Sequence, residues 1–267
     1  MIRLLAKNGI ITSGSINFKG KDVLNLSNKE MFNFRGKDIG MIFQNPLDSL
    51  NPVMIVGEQV SESLLLDKIT KEEAWKKVIE LFEDVKIPDA KQRAESYPFE
   101  LSGGMRQRVM ISMMISRKPE LLIVDEPTTA LDVTIQAQIL KIIKRLRDDF
   151  NLSVLLITHN FGVVAEIADK VAVMYAGNLV EVGDVYEIFE RPLHPYTRLL
   201  MKALPTISKE QGRLVTIPGM VPNLINPPEG CRFENRCPRK TSICKRINPK
   251  LKKYQKGHYY ACHLDMN

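Results

Sequence analysis

The sequence predicts an α/β protein with a parallel sheet, a helical insertion and a small, chemically distinct C-terminal extension. Three observations carry that prediction. Two short, wholly apolar runs, "LLIVDE" (121–126) and "SVLLITH" (153–159), flank an amphipathic helical stretch over 133–149. Strands apolar on both faces, joined by a helix, belong to a parallel sheet covered from both sides. All four cysteines then fall after residue 230, in a segment whose charge differs sharply from what precedes it.

In chain order, residues 10–24 ("IITSGSINFKGKDVL") read as two short strands around polar turns. Met1 to Leu5 has the pattern of the middle of an amphipathic helix. Thr70 and Glu73 form a capping box, and Ala74, Val78, Leu81, Phe82 and Val85 follow at helical spacing, predicting a helix over 71–86. A further helix runs from Met105 to Ser116, before Lys118-Pro119. These helices place a helical subdomain at about 55–115. "KVAVMYAGNLVEVG" (170–183) reads as a hairpin turning at Ala176-Gly177-Asn178.

The chain has 267 residues, 44% of them hydrophobic and 7% aromatic, which suits a packed core. No run approaches the roughly 18 apolar residues of a membrane span, and no secretion signal opens it. The net charge of +7 is uneven: from 191 onward there are 15 Lys and Arg against 4 Asp and Glu, and before it 23 against 27. That step divides the chain into 1–190 and 191–267. A basic tail can meet nucleic acid or anionic headgroups, or simply be a solvated tail.

Ligands of an open parallel sheet bind at the carboxyl ends of its strands. Asp125, Glu126 and His159 stand at two such ends. An aspartate there suits Mg²⁺, a second acid can polarise water, and a histidine can stabilise a transferring phosphoryl group. Ser102-Gly103-Gly104, before a basic helix, leaves backbone N–H groups available to an anion.

"QNPLDSLNP" (44–52), "LSGGMRQRV" (101–109), "LLIVDEPTTALD" (121–132) and "LLITHN" (155–160) occur in that order. Together they resemble the nucleotide-binding subunits of ATP-binding-cassette (ABC) transporters over almost the whole chain. Met105, "ALDVTIQAQIL" (130–140), "HPYT" (194–197) and the cysteine tail look like the oligopeptide/dipeptide importer branch, with nickel importers close by. The resemblance implies ATP and Mg²⁺ as ligands. Gln44 is then the Q-loop residue near Mg²⁺ and the attacking water, Asp125 the Mg²⁺-organising acid, Glu126 the general base and His159 the γ-phosphate switch. Asp132 falls at a dimer seam, while Ser102, Gly103 and Gly104 meet the γ-phosphate held by the other subunit. Phe99 and Asn160 replace the His and Asp common at these positions, outside the chemistry.

The implied partners are a second ATPase subunit, two transmembrane permeases and, indirectly, an extracytoplasmic binding protein, with this subunit peripheral on the cytoplasmic membrane face and no nucleic acid. The alternatives are a soluble ABC ATPase acting on nucleic acid and a non-catalytic partner completing another subunit's site. One family element has no counterpart: G-x-x-x-x-G-K-[ST] does not occur. Gly20-Lys21 and Gly36-Lys37 are each followed by aspartate and read as turns. The expectation is therefore a chain inactive alone, from a truncated reading frame or a degenerate partner, with an apolar sheet edge left bare. Cys231, Cys237, Cys244 and Cys262 lack the tight pairs of zinc ribbons; the resemblance implies a [4Fe–4S] cluster, with zinc and free thiols as alternatives.

Overall fold

The computed structural model describes residues 2–44, 50–127, 132–204 and 216–265. They form two compact units, 1–159 and 160–267. The composition step at 190 thus lies inside the second unit, where strands on either side of it pair.

The first unit opens with a two-strand ribbon, β1 (Asn17–Phe18) and β2 (Lys21–Asp22), turning at Gly20 with φ +82°. Residues 2–6 are not helical. The Arg35 guanidinium takes the carbonyls of Ile2 (2.9 Å) and Arg3 (3.3 Å), so a helical ladder loses these acceptors to a tertiary contact. Helix α1 (Asn28–Lys37) starts at Ser27, whose side chain and that of Glu30 form a capping box, and breaks at Gly36 with φ +82°. Gly36-Lys37 is therefore a helix end, as Gly20-Lys21 is a strand turn. Neither cradles phosphate.

Strands β3 (Ile39–Ile42), β4 (Leu121–Asp125) and β5 (Ser153–Ile157) make a parallel sheet in the order β3-β4-β5. The reason β4 reads as a continuous apolar run is visible in its packing. Leu122 and Val124 enter the main core, whereas Ile123 faces the other side and packs with Met31, Phe34 and Ile39. The main core joins the sheet to α2 (Val56–Leu65), α3 (Lys71–Asp84), α5 (Gly103–Ile115) and α6 (Val133–Phe150), with Phe82, Met110, Ile111 and Ile143 at most 1% exposed. The expected capping box is present: the Thr70 and Glu73 side chains each bond the other's backbone N–H. A short α4 (Ala90–Ala94) lies between α3 and α5.

The β5 strand departs from the doubly covered pattern. It is outermost in the sheet; Val154 and Leu156 face the core, but Leu155 and Ile157 are 40% and 46% exposed. With Leu4, Leu5, Ile11 and Phe43 they line an open apolar trough of about 550 Å³. The trough is an uncovered face of the sheet, since Met41 of β3 and Ile123 of β4 also line it.

The second unit is an antiparallel sheet, β6 (Lys170–Tyr175), β7 (Asn178–Asp184), β9 (His258–Tyr260) and β8 (Lys252–Gln255), in the order β6-β7-β9-β8. Helices α7 (Phe161–Ile167), α8 (Val185–Glu190) and α9 (Pro195–Lys202) accompany it. The β6–β7 hairpin turns at Ala176 and Gly177, both with positive φ (49° and 82°), the pairing that a two-residue turn between twisted strands requires. Glu181 of β7 is wholly buried and accepts from the backbone N–H of Leu193 (2.7 Å) and His194 (2.9 Å), and pairs with His258 Nε2 on β9 (2.8 Å). One carboxylate thus ties the "HPYT" segment and the C-terminal hairpin to β7. His194 caps α9, its Nδ1 accepting from Tyr196 N–H (3.1 Å), while Tyr196 packs on Tyr175 and Phe233.

Two predictions follow from buried polar groups. Gln107 is fully buried on α5, and neither of its amide atoms has a partner among the described residues. Gln107→Met, similar in volume, is expected to raise unfolding free energy by about 1–2 kcal/mol, read as a higher denaturant midpoint. Burial drives the His194 pKa down from 6.5 to about 4, so the unfolded chain binds that proton more readily. Stability from this residue is complete above about pH 6.5 and is lost towards pH 4, by up to about 3 kcal/mol. His194→Asn keeps the cap and does not titrate, and its stability is expected to fall less steeply over that window in denaturant melts.

Candidate functional site

The parallel register decides what meets at the end of the first unit's sheet. Val124 pairs with Ile42 on one side and with Leu156 on the other. The chain therefore leaves all three strands at one level: Gln44 two residues after β3, Glu126 directly after β4, and His159 two residues after β5. Gln44 Nε2 donates to Glu126 Oε2 at 2.8 Å, and His159 Nδ1 lies 2.8 Å from Glu126 Oε1. Both carboxylate oxygens are engaged by side chains from the two neighbouring strand ends.

Glu126 reaches this position through its backbone. Its N–H continues the ladder by donating to Ile157 O (2.9 Å), while its φ of +44° turns the chain out of the strand. A long side chain in left-handed conformation is uncommon, although Lys68, Lys86 and Lys118 share it in this chain. Asp125, half-buried, ends β4 next to it. The Glu126 side chain is 25% exposed and that of His159 78%, so the histidine stands in solvent while the acid sits at the sheet rim.

The remaining expected residues mark two helix starts. Ser102 caps α5, its Oγ accepting from Met105 N–H (3.3 Å). Gly103 and Gly104 open that helix, and a Cβ on Gly104 would lie 2.8 Å from Ile135 Cγ2, so only glycine lets α5 approach α6 this closely. Asp132 caps α6, its Oδ1 accepting from Ile135 N–H (2.9 Å). Thus Gln44, Glu126 and His159 form one cluster with Asp125 adjacent, while Ser102–Gly104 and Asp132 are joined through Ile135. Residues 45–49 of "QNPLDSLNP" and 128–131 of "LLIVDEPTTALD" lie outside the described residues.

This donor set suits Mg²⁺ held by one carboxylate together with phosphate oxygens and water, since Mg²⁺ retains much of its hydration. For a cluster metal the fit is different. Backbone bonding brings Cys231 and Cys244 together (N–H to O, 2.8 Å), and the thiols of all four cysteines sense one another. Yet no group of three or more His, Cys, Asp or Glu among the described residues is arranged to hold a metal ion. Burial pushes the Cys231 thiol up to about 11 and raises Cys237 and Cys262 as well, and like-charge repulsion adds to this. With no such arrangement of donors among the described residues, the [4Fe–4S] expectation finds no support here.

Among the features that went unread in the sequence, two organise the second unit. The Glu181 hub is signalled only by a lone acid in an apolar strand. The β8–β9 hairpin has a clearer sign, "YQKGHYY", with Gly257 at φ +81° in its turn.

Among the described residues, no helix is long and apolar enough to cross a membrane. Residues 1–129 match the family "ABC transporter", and residues 180–244 match "Oligopeptide/dipeptide transporter, C-terminal region". The chain is 48% identical to the oligopeptide transport ATP-binding protein OppD of Salmonella typhimurium over 263 residues, covering 98% of this chain and 78% of that protein. It is 51% identical to OppD of Bacillus subtilis (94% and 71% covered) and 47% identical to the dipeptide transport ATP-binding protein DppD of the same organism (95% and 76% covered). Among solved structures, cbiO1 from Clostridium perfringens, part of the ABC transporter complex cbiONQ, aligns with a TM-score of 0.60 at 28% identity, over 68% of this chain and 70% of that one. The dimeric ATP-binding cassette MJ0796 bound to ADP and Pi shares the fold, with a TM-score of 0.59 at 24% identity over 65% and 74%. On these grounds the chain belongs to the ABC-type ATPases, as an ATP-binding subunit of the oligopeptide/dipeptide transporter branch.

Proposed function

We propose that this chain drives peptide import, working as a peripheral ATPase subunit on the cytoplasmic face of a membrane, paired with a second ATPase and two permeases. The single observation that supports this reading best is the convergence of Gln44 and His159 on Glu126, at 2.8 Å each. Glu126 takes the proton of the attacking water, its carboxylate aimed by Gln44. His159, poised on the opposite oxygen, donates towards the γ-phosphate as charge develops. Asp125 orients Mg²⁺ through its water shell. Residues 1–190 supply this chemistry, and 191–267 form the branch-specific extension.

Ser102, Gly103 and Gly104 serve the nucleotide of the paired subunit: the first N–H groups of α5 are donors for phosphate at the positive end of a 13-residue helix. Asp132 sits at the seam between the subunits. These 267 residues contain no G-x-x-x-x-G-K-[ST]. Without its amides and lysine, several charge-assisted hydrogen bonds of about 1.5–3 kcal/mol each are missing from the β- and γ-phosphates. These 267 residues by themselves are therefore expected to turn over MgATP slowly, while the Ser102–Gly104 turn remains able to complete a partner's site.

Two outcomes are expected. By itself the chain hydrolyses MgATP far more slowly than a relative carrying the phosphate loop; a matching turnover number would overturn the half-site reading. Mixed with such a relative, it forms an ATP-dependent pair, seen by sedimentation. Ser102→Asp keeps an N-cap but sets a negative charge against the triphosphate. It is expected to abolish pairing at unchanged thermal stability, whereas Ser102→Ala costs about 1 kcal/mol in stability through the lost cap. Pairing by Ser102→Asp as strong as that of the wild type would sink the assignment.

A further inference from the structure

The α5 helix carries a second contact to α6 one turn beyond Gly104. Arg108 Nη2 donates to Gln138 Oε1 at 2.7 Å, while its Nη1 donates to the carbonyls of Val85 (2.9 Å) and Lys86 (2.7 Å). Those carbonyls belong to the C-cap of α3, Val85, and to the residue after it. A guanidinium meets them with complementary charge and fixed geometry. Three helices thus meet on one side chain.

The spacing gives this junction its consequence. Gly104 and Arg108 are four residues apart on α5; Ile135 and Gln138 are three apart on α6. Both pairs lie on facing stripes of the two helices. The upper contact, Gly104 on Ile135, is steric and tolerates no Cβ. The lower contact, Arg108 to Gln138, is a directional hydrogen bond. Contact at two levels sets both the separation of the helices and their relative rotation, which a single contact leaves free. The loops above them, Ser102–Gly104 on α5 and Asp132 on α6, consequently keep a fixed offset.

We propose that Arg108 and Gln138 are positioning residues that hold the Ser102–Gly104 turn and the Asp132 cap as one rigid reading head for the partner's nucleotide. The proposal rests on the half-site reading above. Arg108 acts through α5 and touches no substrate. Its bonds to Val85 and Lys86 extend the same rigid body to α3, so movement of the helical region carries both loops together.

The test uses this chain mixed with a phosphate-loop-bearing family member whose own signature serine is replaced by arginine, so that hydrolysis of MgATP depends on the signature turn of the added chain. Wild-type chain restores turnover; if it does not, the half-site reading fails and the clamp is not what failed. Gln138 is exposed, and Gln138→Leu keeps the helix and the Arg108 bonds to α3. That variant is expected to lower kcat about tenfold, within the hundredfold that a 1 Å misplacement can cost, with KM for ATP and melting temperature unchanged. Amide hydrogen exchange in the first turns of α5 and α6 rises together. Arg108→Lys, which cannot bond three acceptors in a plane, is expected to behave similarly with some loss of stability. Turnover by Gln138→Leu equal to wild type, with unchanged exchange in both turns, would overturn the clamp.

Discussion

The first unit depends on the in-register parallel pairing of β3, β4 and β5. Parallel strands run their carboxyl ends to one side, so residues far apart in sequence, 44, 126 and 159, arrive at one edge without any loop having to search for the others. A one-residue slip would turn the β4 side chains from one core to the other. The two apolar cores prevent it, because Leu122 and Val124 fill one and Ile123 the other. Core packing and site geometry therefore have a common cause.

From that edge, function divides between two kinds of local structure. The acid cluster is built on strand ends, where the left-handed turn at Glu126 aims a carboxylate between an amide and an imidazole. The other candidate residues stand at helix starts, where Ser102 and Asp132 each accept from the backbone N–H three residues on. In the function proposed above, the first would handle protons and magnesium and the second the phosphate of a paired molecule. The second unit works differently. Its buried Glu181 gathers β7, the "HPYT" turn and the C-terminal hairpin by hydrogen bonds that are costly to leave unmade in an apolar interior.

Much of this was legible in the sequence, for reasons of period and chemistry. The Thr70–Glu73 capping box, the 3.6-residue spacing of α3 and α6, and the two apolar strands all appear where local propensity and packing agree. The Met1–Leu5 pattern misled because Arg35 claims the carbonyls of Ile2 and Arg3, contacts from 33 and 32 residues away. The α1 helix went unread although "SNKE" carries its capping box. The β5 strand looked symmetric in sequence, yet only one of its faces is covered. The cysteine spacing left cluster, zinc and free thiols open, and no group of three or more donors among the described residues is arranged to hold a metal ion.

The sequence by itself determined the kinds of element, the order of the motifs and the family, because these depend on local periodicity and on which residue types a phosphate-handling chemistry needs. Only the tertiary structure decided that Gln44 and His159 take opposite oxygens of Glu126, that Gly104 must yield its space to Ile135, and that Arg108 joins three helices. Such contacts span 22 to 82 residues and arise from the register of strands and the approach of helices, which no local pattern encodes.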